Sequence, residues 1–156
     1  MKRNFLRTVT FAAVLAVVSL AGRDFTDTNL SRCRLENSDL SNSRFIRTNL
    51  DSTVSGRSKF DGAIMMNCTF NNGMLAESSM YRAQADHRSF SDATIFATDF
   101  EGSNFQQCTF YNTNIIASRF KGLRSVRGIT FKSGSQNRGR GEGIEFSTLT
   151  LIGKRL

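Results

Sequence analysis

The sequence predicts an all-β solenoid, and three observations carry that prediction. Every fifth residue from Phe25 to Phe120 is large and apolar: 18 of these 20 centres are Phe, Leu, Ile or Met, in a chain that is 39% hydrophobic. The residue two places before each centre is small in 18 of 20 cases, Arg23 and Arg88 excepted. The register never slips over this stretch, and the 156 residues contain no proline, which suits a ladder that uses most of its N–H donors. A fixed period of this kind overrides any reading element by element.

Five matches neither the helical period of 3.6 nor the strand period of 2. Within one pentad the small residue and the centre lie two apart, so on an extended backbone both point the same way. The next inward residue comes three later, which demands a bend in every pentad. A chain that bends regularly with one side inward winds into a coil. Its coils stack by hydrogen bonds along the axis at about 4.8 Å.

Stretches such as Thr28-Asn29-Leu30-Ser31-Arg32 and Ser38-Asp39-Leu40-Ser41-Asn42 resemble the pentapeptide-repeat consensus. The resemblance covers about two thirds of the chain. It implies a right-handed quadrilateral β-helix with four pentads per coil, hence about five coils from the 20 pentads. A 20-residue period then stacks Leu30, Leu50, Phe70, Phe90 and Phe110 in one column, and Leu40, Phe60, Met80, Phe100 and Phe120 in another. The open ends of such a rod need caps.

Taken in order, residues 1–21 read as a signal peptide. Lys2, Arg3 and Arg7 form a basic start, Phe11 to Val18 an apolar run, and Ser19-Leu20-Ala21 a small-residue cleavage site. The run is short for a membrane span, so no transmembrane segment is expected after processing. Residues 22–122 form the repeat domain. Between Arg23 and Gly122 eleven positive charges balance eleven negative ones. Members of the resembled family that imitate DNA and inhibit gyrase do so with an acidic rod; a neutral rod on an exported chain departs from that pattern. Two pentads break the rule. Ser55-Gly56 is expected to mark a kink or bulge. Ala85-Asp86-His87-Arg88 is expected to bulge outward, because an unpaired buried guanidinium is very costly.

After Gly122 the fives stop, and residues 123–156 form a basic tail with seven positive charges against two negative ones, net +5. Ser133–Gly143 reads as a flexible linker and Ile144–Ile152 as a strand. The tail is expected either to close the last coil as a long-looped hairpin or to add to an open edge.

Chemistry is sparse. The single histidine, His87, stands beside Asp86, Arg88 and Ser89, but a catalytic triad needs groups converging from separate elements. Adjacent residues on one strand point to different sides. No catalytic residue is assigned and the chain is read as a non-enzyme. One His and three separated Cys lack zinc-ligand spacing, so no metal and no cofactor is expected. Cys33, Cys68 and Cys108 all occupy the small inward position and are read as reduced packing residues. Cys68 and Cys108, two coils apart at about 9–10 Å, lie beyond disulfide reach.

The expected function is that of an exported scaffold, periplasmic or secreted, that docks a protein partner or a second copy. Sorting outward residues by the 20-residue coil gathers Val54, Met74, Ala76, Phe96, Ala97, Ile116 and Ala117 on one face. Val54, Met74, Phe96 and Ile116 are the candidate interaction residues, with Ile144-Glu145-Phe146 of the tail as an alternative cover. The second reading is a secreted effector or envelope-surface protein whose basic tail contacts anionic targets through Arg138, Arg140, Lys154 and Arg155. Export and the absence of interleaved aromatics argue against nucleic acid.

Overall fold

The structure, a computed structural model, describes residues 14–111, 113–116, 118–119, 125–127, 130–132, 137–138 and 150–152. Among them there is no helix. Each residue that precedes a centre bridges in parallel to its counterpart twenty residues on: Val14 to Arg34, Ser19 to Asp39, Asp24 to Arg44, Asn29 to Asn49. Four ladders of this kind run side by side, so a coil has four sides of five residues. We name the faces by their centres: the Leu75 face (Leu35, Ser55, Leu75, Ile95, Ile115), the Phe60 face, the Phe45 face and the Phe90 face.

Where the ladders are continuous they form three-residue strands: β1 (Arg44–Ile46), β2 (Ile64–Met66), β3 (Met74–Ala76), β4 (Gln84–Asp86), β5 (Thr94–Phe96), β6 (Asn104–Gln106), β7 (Thr109–Tyr111) and β8 (Asn114–Ile116). Beyond them lie β9 (Ser125–Arg127), β10 (Thr130–Lys132), β11 (Asn137–Arg138) and β12 (Thr150–Ile152). The sheet orders are β1-β2-β4-β6-β9 on the Phe45 face, β11-β8-β5-β3 on the Leu75 face and β12-β10-β7 on the Phe90 face.

The bend comes from one position. The residue two after each centre has positive φ, between 47° and 68°, from Val17 to Gln107. Ser58 N and Thr98 N donate to hydroxyls of the next coil, but many corners are closed by a turn bond, the N–H of the next small residue donating to the centre's carbonyl, as Thr28 N to Phe25 O at 3.1 Å. This is the backbone of a type II turn, whose third residue needs φ > 0 and favours Gly or Asn. Asn37, Asn42, Asn67, Asn72, Gly62 and Gly102 meet that demand.

The small inward residue also has a reason beyond size. Its side chain donates to a carbonyl 23 residues earlier: Ser43 to Leu20 O at 2.9 Å, Thr48 to Phe25 O at 2.7 Å, Cys68 Sγ to Phe45 O at 2.8 Å. Serine, threonine and cysteine fit where a branched aliphatic would leave that carbonyl poorer in partners. The centres fill the axis. Phe90 and Phe110 stack with ring centroids 4.9 Å apart and planes at 3°, and Phe25 and Phe45 at 5.0 Å and 10°. Both distances match the rung spacing of a sheet.

Four expectations change. Ser55 makes no kink: it is buried, and Ser55 N donates to Met74 O at 2.8 Å in the regular pattern. Arg88 does not bulge outward: it is 2% exposed, and Thr109 N still donates to Arg88 O. The coil begins earlier than residue 22, since Leu15, Val17, Leu20 and Gly22 donate to Arg34, Glu36, Asp39 and Ser41 carbonyls. Of the two arrangements expected for the tail, the described residues show addition to an open edge rather than the hairpin. β9 lies parallel on β6, β10 on β7, β11 on β8 and β12 on β10, so the winding continues, and Asn137–Arg138 within the expected linker is one of its rungs.

Candidate docking face

On the Leu75 face, the row before the centres runs Arg34, Val54, Met74, Thr94 and the row after them Glu36, Gly56, Ala76, Phe96. Strand alternation turns both rows outward, because the centres between them are buried. Met74 is 43% and Phe96 42% exposed, with Val54 and Ala76 half-buried beside them. The register sets Val54 against Met74 and Ala76 against Phe96, so the four form a contiguous apolar strip over adjacent rungs. The Arg34–Glu36 ion pair (2.9 Å) lies at one end, and Arg57–Glu77 (2.9 Å) runs along a corner beside it. At the other end Phe96 is registered with Ile116; the Ile116 side chain and Ala117 lie outside the described residues.

Of the tail residues singled out from the sequence, Arg138 falls in β11, registered with Ile116. Arg140, Lys154, Arg155 and the covering segment Ile144-Glu145-Phe146 lie outside the described residues. A second patch escaped the sequence analysis. On the opposite Phe45 face, Met66 is exposed, Ile46 lies against it in register, and Ile64 flanks the same rung. The same 20-residue sorting would have found it.

The corner between the Phe45 and Phe90 faces holds an open groove of about 400 Å³, with Asn67, Thr69, His87, Ser89 and Gln107 in its lining. His87 Nδ1 and Asp86 Oδ1 are 2.8 Å apart, so these neighbours meet across the corner rather than diverge. Ser89 Oγ, however, donates to Asn71 Oδ1 at 2.6 Å. The imidazole is paired while the nearest serine is committed to the next rung. Among the described residues no three or more His, Cys, Asp or Glu side chains gather as a metal site.

Behind that corner lies the one charged side chain that is buried among the described residues. Arg88 points into the core with its guanidinium carbon 5.6 Å from the Phe90 ring centroid, and its Nε and Nη2 have no hydrogen-bond partner. Burial pushes its pKa down, opposed by the Cys68 and Cys108 thiols of the adjoining rungs. Burial likewise pushes the Cys108 thiol up to about 11, against the pull of the Arg88 charge. All three cysteines are buried thiols, outside any disulfide.

The family profile described as Pentapeptide repeats matches in eight copies over residues 19–54 and 89–122. No curated protein gives a match. Among solved structures, a trypsin-treated variant of QnrB1, a plasmid-mediated fluoroquinolone resistance protein, is 14% identical. The match covers 90% of this chain and 78% of that one, with a TM-score of 0.54. HetL, a pentapeptide repeat protein involved in heterocyst differentiation regulation from the cyanobacterium Nostoc sp. strain PCC 7120, is 18% identical over 96% of this chain and 72% of its own, with a TM-score of 0.43. Rfr23 from the cyanobacterium Cyanothece 51142 is 14% identical over 79% and 90%, with a TM-score of 0.42. At 14% identity the likeness to the QnrB1 variant is one of fold alone. With the five-residue register, the four ladders and the family profile in agreement, the chain belongs to the pentapeptide-repeat family.

Proposed function

We propose that the protein is an exported, non-catalytic scaffold that docks a protein partner through the apolar strip of its Leu75 face. One observation carries this reading: Met74 and Phe96 stand exposed on adjacent rungs with Val54 and Ala76 beside them, beyond the Arg34–Glu36 ion pair at one end. Contiguous exposed apolar surface of this kind marks interfaces, and a stacked sheet presents it with little ordering cost. Export draws its support from the basic–apolar–small order of residues 1–21. Phe96→Asp tests the docking. The variant is expected to keep the melting temperature of the parent and lose its partner or self-association in pull-down and light scattering. Retained association would sink the docking face.

The second reading, contact with anionic targets through the basic tail, gains from the position of Arg138 at the end of the same face. On that reading Arg138→Glu with Arg140→Glu, rather than Phe96→Asp, abolishes association, and the loss is mimicked by added salt.

A further inference from the structure

Residues 14–21 have two claims on them. By sequence they end a signal peptide; in the fold they are the first two described sides of the coil. Leu15, Val17, Leu20 and Gly22 donate to carbonyls of Arg34, Glu36, Asp39 and Ser41, and Asp39 N returns a bond to Val18 O at 3.0 Å. Ser38 Oγ donates to Leu15 O and Ser43 Oγ to Leu20 O. Leu20 is buried and Leu15 packs against the core. Below them, Arg34 to Ser43 form a ledge whose upward hydrogen-bonding groups are met, among the described residues, by this segment.

The segment also departs from the pattern that suits its positions. Among the non-glycine residues of positive φ, Val17 is the one with a β-branched side chain, at φ 61°, where branching at Cβ is sterically worst. Val14 and Val17 stand 66% and 77% exposed, where the rung beneath offers Arg34 and Asn37. Among the described residues this rung has one neighbour rather than two, and a rung so placed opens at least cost.

We propose that residues 14–21 are a detachable half-coil, and that the ledge from Arg34 to Ser43 is a binding site for an extended peptide carrying two large apolar residues five apart. Recognition is by strand addition: main-chain bonds supply affinity, and the two inward side chains supply selection. In the full chain the site is filled from within by Leu15 and Leu20. Removal of residues 1–21 opens it; that consequence rests on the export reading, whereas the site itself does not.

The test uses the full chain. Leu15→Asp with Leu20→Asp cannot bury its new carboxylates and frees the ledge. A labelled synthetic peptide of residues 13–22 is then expected to bind this variant and not the parent, whose ledge is occupied; the peptide carrying the same two Asp substitutions is expected to bind neither. Hydrogen exchange on the parent gives an independent measure. The amides of Leu15, Val17, Leu20 and Gly22 are expected to exchange faster than those of Phe45 and Leu50. Val17→Asn, which suits the corner, is expected to slow them about five-fold or more. No peptide binding by a folded double variant overturns the proposal, as do terminal amides that exchange only as fast as the interior rungs. If the double variant does not fold, the exchange comparison decides. N-terminal sequencing from cells separates the two readings: an intact Met1 ends the export reading and leaves the ledge standing.

Discussion

Phe90 shows what a single centre contributes. Its ring stacks on Phe110 and meets Phe70 at 5.9 Å and 44°, so Phe90→Ala removes a ring from the middle of the column. The expected loss is about 3–5 kcal/mol, read from denaturant unfolding; an unchanged midpoint would mean that the column contributes nothing. Arg88 works in the opposite sense. An apolar side chain of similar length abolishes the uncompensated desolvation, so Arg88→Met is expected to raise stability, on the order of several kcal/mol. A fall in melting temperature would show that the buried cation is compensated after all. Cys108 gives a pH signature. Its folded thiol titrates near 11 against a reference of 9.0, so between these values the folded state holds the proton that the unfolded chain releases. Stability is therefore full below about pH 9 and falls as pH rises toward 11, by about 2–3 kcal/mol from this group. Cys108→Ala is expected to flatten that part of the profile relative to the parent.

At the scale of the pentad, most of the fold was legible because each position has one physical task. Centres such as Leu40 and Phe100 fill the axis, residues such as Thr48 feed a carbonyl of the coil before, and corners such as Asn42 turn left-handed. The irregularities were not legible one residue at a time. Arg88 looked impossible to bury, but Ala85, the centre of the preceding side, leaves room where Phe105 stands in the rung below. The tail hid its coils for a different reason. The step between rungs lengthens from 20 to 21 residues where Asn104 meets Ser125 and Thr109 meets Thr130, so the fives are lost while the winding continues. The first coil was masked by its own apolar composition. Leu15 and Leu20 continue the fives backward, but the charge-then-apolar order reads as a leader. Gly73 tests the packing rule directly, since a Cβ there would overlap the Phe70 ring. Gly73→Ala is expected to cost about 1–3 kcal/mol by overpacking, although alanine serves the same inward position at Ala63 and Ala83.

For the whole molecule, the net charge sits outside the neutral rod, so recognition by the rod's faces rests on surface relief and apolarity rather than on electrostatic steering. The exposed ion pairs, such as the two-pronged Arg47–Asp27 contact at 2.6 Å, contribute little stability but break up apolar surface along the corners where they lie. The candidate site was half legible. The Leu75-face strip followed from the 20-residue sorting, and the Met66 patch on the opposite face was there to be sorted and was missed. Two apolar patches on opposite faces fit a scaffold that holds one partner on each side. Site-specific photo-crosslinking in the cells that make the protein is the most direct measurement. A photoreactive residue in place of Phe96 is compared with one in place of Tyr81, an exposed aromatic on the Phe60 face. Docking through the Leu75 face predicts a discrete protein adduct from position 96 and none from position 81; equal yields at both, or no adduct at 96, would contradict it.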